Sequence, residues 1–123
     1  MYFNGVQYFL GKALAIGIMV IIETTIFTKQ VHKMLTDEEY HLLQLELLKR
    51  PDAGVVIRGS GGLRKVRWNA EGRGKRGGSR VIYYWAVGQA QILMLLIYPK
   101  NVQDDLSPEQ VRVLRSIVEA EYP

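Results

Sequence analysis

Residues 79–98, SRVIYYWAVGQAQILMLLIY, decide the architecture of this chain. β-Branched and aromatic side chains fill two runs, Ser79 to Val87 and Gln91 to Tyr98, with Gly88 between them. That pattern predicts two strands joined by a tight turn. Neither run alternates. Val81, Ile82, Tyr83, Tyr84 and Trp85 are consecutive in the first, and Ile92 to Ile97 are apolar throughout the second. A strand with one wet face alternates apolar and polar positions, so these unbroken runs predict the centre of a sheet covered by helices.

Upstream, Leu63-Arg64-Lys65-Val66-Arg67-Trp68 does alternate and reads as another strand, connected to Ser79 by a glycine-rich basic loop over Ala70 to Gly78. Gly59-Ser60-Gly61-Gly62 is a turn, and Val55-Val56-Ile57 is a brief extended piece before it. Val20 to Glu23 predicts a short first strand. Thr24 or Thr25 then caps a helix to about Leu35, with Phe27, Val31 and Met34 or Leu35 at helical spacing. Thr36-Asp37-Glu38-Glu39 is a capping-box start, because the hydroxyl and the carboxylate three residues on satisfy free backbone amides. The helix that follows turns Tyr40, Leu43, Leu47 and Leu48 inward and stops before Pro51. Ser107-Pro108-Glu109 opens a last helix, with proline at its first position, that runs to about Glu121 and puts Val111, Leu114 and Val118 on one face. A strand, a helical hairpin, three or so strands and a terminal helix make an α+β domain over residues 19–123.

Residues 1–18, MYFNGVQYFLGKALAIGI, read differently. The apolar run from Ala13 to Ile22 is ten residues long, whereas a membrane span needs about 20. No charge precedes Lys12, and Glu23 follows the run directly, so the charge pattern of a secretory signal is missing. No membrane partner is expected. The reading adopted is an N-terminal apolar extension, with the natural start at Met19 as the expectation. A peptide from the native protein that begins before Met19, seen by mass spectrometry, would refute that start.

A chain of 123 residues has room for one compact domain. Hydrophobic residues make up 48% and charged residues 23%, which suits an ordinary globular core. Cysteine is absent, which excludes a disulfide framework and any thiolate metal site. His32 and His41 are the only histidines, and no carboxylate cluster accompanies them, so no metal and no cofactor are expected. The charge is polarised. From Arg58 to Arg80 there are eight basic residues and one acid, Glu71, a local net of +7, which leaves −3 for the rest of a +4 chain. Such an asymmetry is what a protein that meets phosphates carries; a solvated basic loop is the plainer alternative.

Chemistry concentrates on the strands around that segment. Side chains two apart on a strand share a face, so Lys65 and Arg67 point together and Val66 points away. If Val66 faces the core, the two cations project from the open side of the sheet, and Arg80 opens the next strand across from them. Three cations on one face repel each other unless an anion visits; the bland reading is a solvated basic face with carboxylate neighbours. In the loop, Arg73, Lys75 and Arg76 alternate with glycines, which lets the backbone approach phosphates, although a flexible hairpin tip would look the same. The spacing is not that of a P-loop. Tyr98-Pro99-Lys100-Asn101 closes the last strand, where a tyrosine can stack on a base or exchange a proton and Lys100 can hold a phosphate. A half-buried tyrosine before a turn is the commoner case. Tyr83, Tyr84 and Trp85 read as packing residues, His32 and His41 as surface or boundary residues, and Glu38-Glu39 and Asp104-Asp105 as cap and loop positions with no acid–base role.

Taken together, several blocks resemble HigB-type toxins of the RelE superfamily: Thr24-Thr25-Ile26-Phe27, Leu35 to Tyr40, Gly59 to Arg67, Gly74 to Tyr84, and Ile97-Tyr98-Pro99-Lys100-Asn101. Order and spacing agree from about Val20 to the C-terminal helix. The resemblance implies a RelE-like fold: a small antiparallel-rich β-sheet packed against an N-terminal helical hairpin, with a C-terminal helix. It implies a bacterial cytoplasmic toxin of a type II toxin–antitoxin system, a metal-independent endoribonuclease (mRNA interferase) that cleaves mRNA in the A site of the 30S ribosomal subunit and so inhibits translation. A cognate HigA-like helix-turn-helix antitoxin is the implied partner. Carried over by position, Lys65, Arg67, Arg80 and Tyr98 match the family's catalytic set, and Arg64, Arg73, Lys75, Arg76 and Lys100 are the implied RNA-binding residues. This chain departs from the pattern in its N-terminal extension and at Pro99, where small residues are usual.

The implied chemistry suits such a set. RNA supplies its own nucleophile, the 2′-OH, which attacks the adjacent phosphorus and gives a 2′,3′-cyclic phosphate and a 5′-OH end. The protein must align that attack and stabilise the extra charge on the phosphorane. Guanidinium groups pair with phosphate bidentately and stay charged, which suits Arg67 and Arg80; Lys65 can act as base or charge stabiliser. Three other readings remain: a ParE-like toxin that inhibits DNA gyrase without cutting nucleic acid, a non-catalytic RNA- or ribosome-binding module, and a small membrane-associated protein resting on residues 1–18 alone.

Overall fold

The computed structural model describes residues 2–3, 6–10, 19–69 and 78–123. In chain order the elements are β1 (Tyr2–Phe3), β2 (Val6–Leu10), β3 (Val20–Thr24), α1 (Thr25–Met34), α2 (Asp37–Lys49), β4 (Val55–Val56), β5 (Leu63–Trp68), β6 (Ser79–Ala86), β7 (Gln91–Pro99) and α3 (Pro108–Glu121). A 3-10 turn, Val87–Gln89, joins β6 to β7, and Ala90 closes it in the left-handed region at φ 51°. The strands form one mixed sheet in the order β1-β2-β3-β7-β6-β5-β4. Only β3 and β7 run parallel; the other neighbours are antiparallel. The protein is therefore an α+β domain with β7 and β6 at the centre of its sheet, where their unbroken apolar runs call for helices. Val6 to Leu10 pairs in register with Thr24 to Val20, so part of the N-terminal extension lengthens the sheet at the β3 edge. No helix among the described residues is long and apolar enough to cross a membrane.

The helical hairpin covers one face. Phe27, Val31 and Leu35 from the first helix region and Leu43, Leu47 and Leu48 from α2 bury against Ile21, Val81, Tyr83, Ile92, Met94 and Ile97. The opposite face takes α3, whose Leu114 and Val118 pack with Ile22, Leu63, Ile82, Leu93, Leu95 and Tyr98. Capping does what the residue types allow. Thr24 Oγ1 accepts from Phe27 N at 3.1 Å. Thr36 and Glu39, and likewise Ser107 and Gln110, form reciprocal capping boxes.

One irregularity governs the rest. Ile82 pairs with Leu96 but Tyr83 pairs with Met94, so Leu95 is an extra residue in β7, a β-bulge. Leu95 and Leu96 both lie on the α3 side, with Met94 and Ile97 on the hairpin side. Strict alternation from Ile92 would carry Tyr98 to the hairpin face; the bulge returns it to the α3 face. Thr24 braces this defect, because its hydroxyl donates to the Leu95 carbonyl at 3.0 Å in a buried bond. One threonine thus caps α1 and satisfies the bulge.

Candidate functional site: a cationic sheet face under an acidic loop

Register assembles the site. Across β5 and β6, Arg67 is opposite Arg80 and Lys65 is opposite Ile82; across β6 and β7, Arg80 is opposite Tyr98. Directly opposed side chains on one face lie about 5 Å apart at Cβ. Leu63, two and four residues before Lys65 and Arg67, packs on the α3 side, as do Ile82 and Tyr98, while Val66 packs on the hairpin side. Lys65, Arg67, Arg80 and Tyr98 therefore share the α3 face, and Val66 does face a core. All four candidate catalytic residues come together.

The face is not open, as the alternation of β5 alone suggested. At its end the segment between β7 and α3 folds back over the strands. Asp104 Oδ1 accepts from Arg80 Nε at 3.0 Å, and Asp105 Oδ1 accepts from Lys65 Nζ at 2.5 Å. Arg80 is 3% exposed, a buried cation that needs its partner, whereas the side chains of Asp104 and Asp105 are 57% and 78% exposed. Tyr98 is also more buried than a half-exposed strand end, and its hydroxyl donates to the Asp104 backbone carbonyl at 3.1 Å. The physical reason is repulsion: Arg67 and Arg80 are directly opposed like charges, and the nearest way to offset them is a pair of carboxylates tethered a few residues beyond Tyr98. Asp104 and Asp105 thus hold three of the four candidate catalytic groups, a role that their loop position did not reveal. No local signal marks that role, because the cations that the two acids meet belong to other strands.

These contacts set protonation. Burial pushes the Tyr98 phenol above its ordinary value, the charge of Asp105 adds to that, and Arg80 opposes it. The phenol therefore stays protonated at neutral pH and can donate a proton far better than it can accept one. The hydrogen bond and charge of Lys65 hold the Asp105 carboxyl below the usual carboxylate value, so it is an anion.

The other candidates sit elsewhere. Arg64 is opposite Tyr83, on the hairpin face; its guanidinium donates to the Gly54 carbonyl at 2.8 Å and lies 5.9 Å from the Trp85 ring centroid. It is not part of the cluster. Lys100 is exposed, and its backbone N–H donates to the Gly78 carbonyl at 2.9 Å, so the turn after β7 is anchored beside the start of β6. A Cβ at Gly78 would meet the carboxamide oxygen of the exposed Asn69, whose side chain would have to turn away, and would lie 3.7 Å from an Arg80 guanidinium nitrogen. Arg73, Lys75 and Arg76 lie outside the described residues. Tyr83 and Tyr84 are packing residues: the Tyr83 hydroxyl accepts from Gly54 N at 2.8 Å and donates to the Pro51 carbonyl at 2.6 Å, and Tyr84 meets the Tyr122 ring. Beside the cluster, a cleft of about 290 Å³ opens between Leu96 and the first turns of α3, lined also by Ser107, Glu109, Gln110, Val113 and Leu114. Among the described residues no three His, Asp or Glu side chains are grouped to hold a metal ion. No protein-family model matches the chain.

Proposed function

We propose that this chain is a HigB-type toxin with a RelE-like fold, a ribosome-dependent endoribonuclease that cuts mRNA by 2′-OH attack and is neutralised by a helix-turn-helix antitoxin in the bacterial cytoplasm. The observation that carries the reading is the register that puts Arg67, Arg80 and Tyr98 side by side on one sheet face, with Lys65 two residues along. Two guanidinium groups and an ammonium suit a phosphorane, whose extra charge they meet with fixed donors. A phenol, protonated at neutral pH and standing beside Arg80, suits the group that gives a proton to the departing 5′-oxygen. Lys65 then serves the attacking side as base or charge stabiliser, and Arg67, always charged, stabilises charge there. Nothing in this set aligns a flexible RNA by itself, which fits a dependence on the ribosome for positioning.

The test is induced expression of the full chain, with growth followed and mRNA ends mapped by primer extension, for wild type, Arg67→Ala and Arg80→Ala. Growth arrest with codon-phased cuts, lost in both variants, supports the nuclease. Arg67→Ala is the cleaner variant because Arg67 is exposed. One observation favours a second reading, a non-catalytic module that binds phosphates of RNA or the ribosome: Arg80 and Lys65 are already neutralised within the chain. That reading gives arrest without cuts, or no arrest. Arrest without cuts would also be the behaviour of a gyrase poison.

A further inference from the structure

We propose that Asp104-Asp105 is a clasp that closes the candidate phosphate site, and that it opens at Asp105 when a phosphate takes the place of that carboxylate on Lys65. The inference rests on the nuclease reading for its substrate but on the geometry of the loop for its mechanism. Two consecutive residues engage three site groups: Asp105 takes Lys65, the Asp104 carboxylate takes Arg80, and the Asp104 carbonyl takes the Tyr98 hydroxyl. A carboxylate on a cation occupies the place a phosphate oxygen would, and both accept charge-assisted hydrogen bonds from the same donors.

The two ends of the clasp differ. Arg80 is buried, so its pair with Asp104 cannot be vacated without stranding a charge. Asp105 is the exposed end, and its Lys65 partner is accessible enough to meet solvent. An exposed ion pair is weak and exchanges readily with another anion. The depressed protonation point of Asp105 agrees, since it reports an interaction with Lys65 that binding a phosphate would remove. Asp104 therefore positions Arg80, and Asp105 competes with substrate. The loop is anchored at both sides, by the Lys100 N–H on Gly78 and by Gln103, whose amide donates to the Asp105 carbonyl at 3.0 Å and to Gln110 Oε1 at 2.9 Å. Opening thus needs only the Asp105 side chain to swing, with the backbone held.

The test titrates the intact protein with inorganic phosphate, followed by amide NMR shifts, and with a 2′-O-methyl oligoribonucleotide that cannot be cut, followed by fluorescence anisotropy. Wild type, Asp105→Asn, Lys65→Ala and the double variant are compared. Asp105 is exposed, so the asparagine variant folds. A competing carboxylate predicts that Asp105→Asn lowers Kd for both probes by roughly two- to fivefold, the range open to an exposed ion pair, and has no effect in the Lys65→Ala background. Weaker binding in Asp105→Asn would overturn the clasp in favour of a positioning role. Equal tightening with and without Lys65 would overturn it in favour of net charge. Phosphate binding that tightens while the oligonucleotide never binds keeps the clasp, and the nuclease reading then stands or falls on the mapped mRNA ends alone. Binding of both probes, unchanged in Asp105→Asn, removes the clasp and keeps the nuclease reading. If neither probe binds wild type or variant, the clasp falls, and the nuclease reading is decided by the mapped mRNA ends.

Discussion

Two buried charge-bearing groups face opposite sides of the same sheet, and their surroundings differ. Glu23 at the end of β3 is 1% exposed on the hairpin face. It accepts from the Thr28 hydroxyl at 2.6 Å on one oxygen and from the Tyr40 hydroxyl on the other. Both donors belong to helices, α1 and α2, that are themselves packed into the core. Arg80 is as buried on the α3 face, but its partner Asp104 belongs to an exposed loop. A polar group buried among rigid donors is part of how a helical hairpin is held on its sheet. A cation buried against a loop carboxylate, next to another cation, can serve a ligand. The Tyr40 phenol, pushed far above its ordinary value by burial and by the Glu23 charge, behaves as a permanent donor to Glu23. The Tyr98 phenol is raised for the same first reason, yet it sits beside Arg80, whose positive charge opposes the rise.

Breaking this contrast starts with the largest effect. Arg80→Ala is expected to lower mRNA cleavage per folded molecule by about 10²–10³-fold, the usual consequence of removing one fixed donor to a developing charge. Circular dichroism confirms the folded fraction. If cleavage survives and only stability falls, Arg80 is a structural group like Glu23. The converse variant, Glu23→Ala, takes the acceptor from the Tyr40 hydroxyl, while the Thr28 hydroxyl keeps the Thr24 carbonyl at 3.2 Å. It is expected to destabilise the fold by roughly 1–3 kcal/mol, the cost of one stranded polar group. Urea denaturation reads that loss, and phosphate binding at the opposite face should not change.

Thr24→Val sharpens the comparison, because it loosens the joint between the two faces. Loss of the α1 cap and of the hydrogen bond to Leu95 O together should remove about 1.5–3 kcal/mol by the same denaturation measurement. The Tyr98 ring resonances should broaden as the bulge loses its brace. Sharp, unmoved Tyr98 signals would mean that packing of Leu95 and Leu96 holds the bulge without Thr24.

The smallest effect concerns Asp105. Its folded-state carboxyl titrates below its ordinary value of 3.8. A depressed carboxylate contributes stability that is present above the unfolded value and is lost as pH falls through the lower, folded value. Carbon-detected NMR titration should therefore place Asp105 below the ordinary carboxylates. Lys65→Ala, or about 1 M salt with its Debye length near 3 Å, should bring it back. An Asp105 that does not move in Lys65→Ala would mean that Arg67 and Arg80 hold it instead.

Much of the scaffold was legible residue by residue. Thr36 with Glu39, and Ser107 with Pro108, announce helix starts because a hydroxyl at that position has one favourable use. LRKVRW announces its strand and its faces because alternation survives there, and it delivered Lys65 and Arg67 to a common side. β7 could not be read in this way. In Ile92-Leu93-Met94-Leu95-Leu96-Ile97 every position is apolar, so the string carries no phase, and the face of Tyr98 was undetermined. The partners of the cations were equally hidden, since Asp104 and Asp105 lie 24 residues or more from Arg80 and Lys65 along the chain.

What the amino-acid order determined by itself was local: where helices start and stop, which runs extend, which basic residues share a strand face, and that the strands at residues 79–98 are central. Those outcomes depend on backbone capping, side-chain period and turn chemistry within a few residues. The tertiary structure alone decided that Leu95 bulges, that Tyr98 consequently stands beside Arg80, and that an acidic loop closes over both. These depend on strand register and on charges brought together from distant segments. Their energies exist only after the sheet has paired.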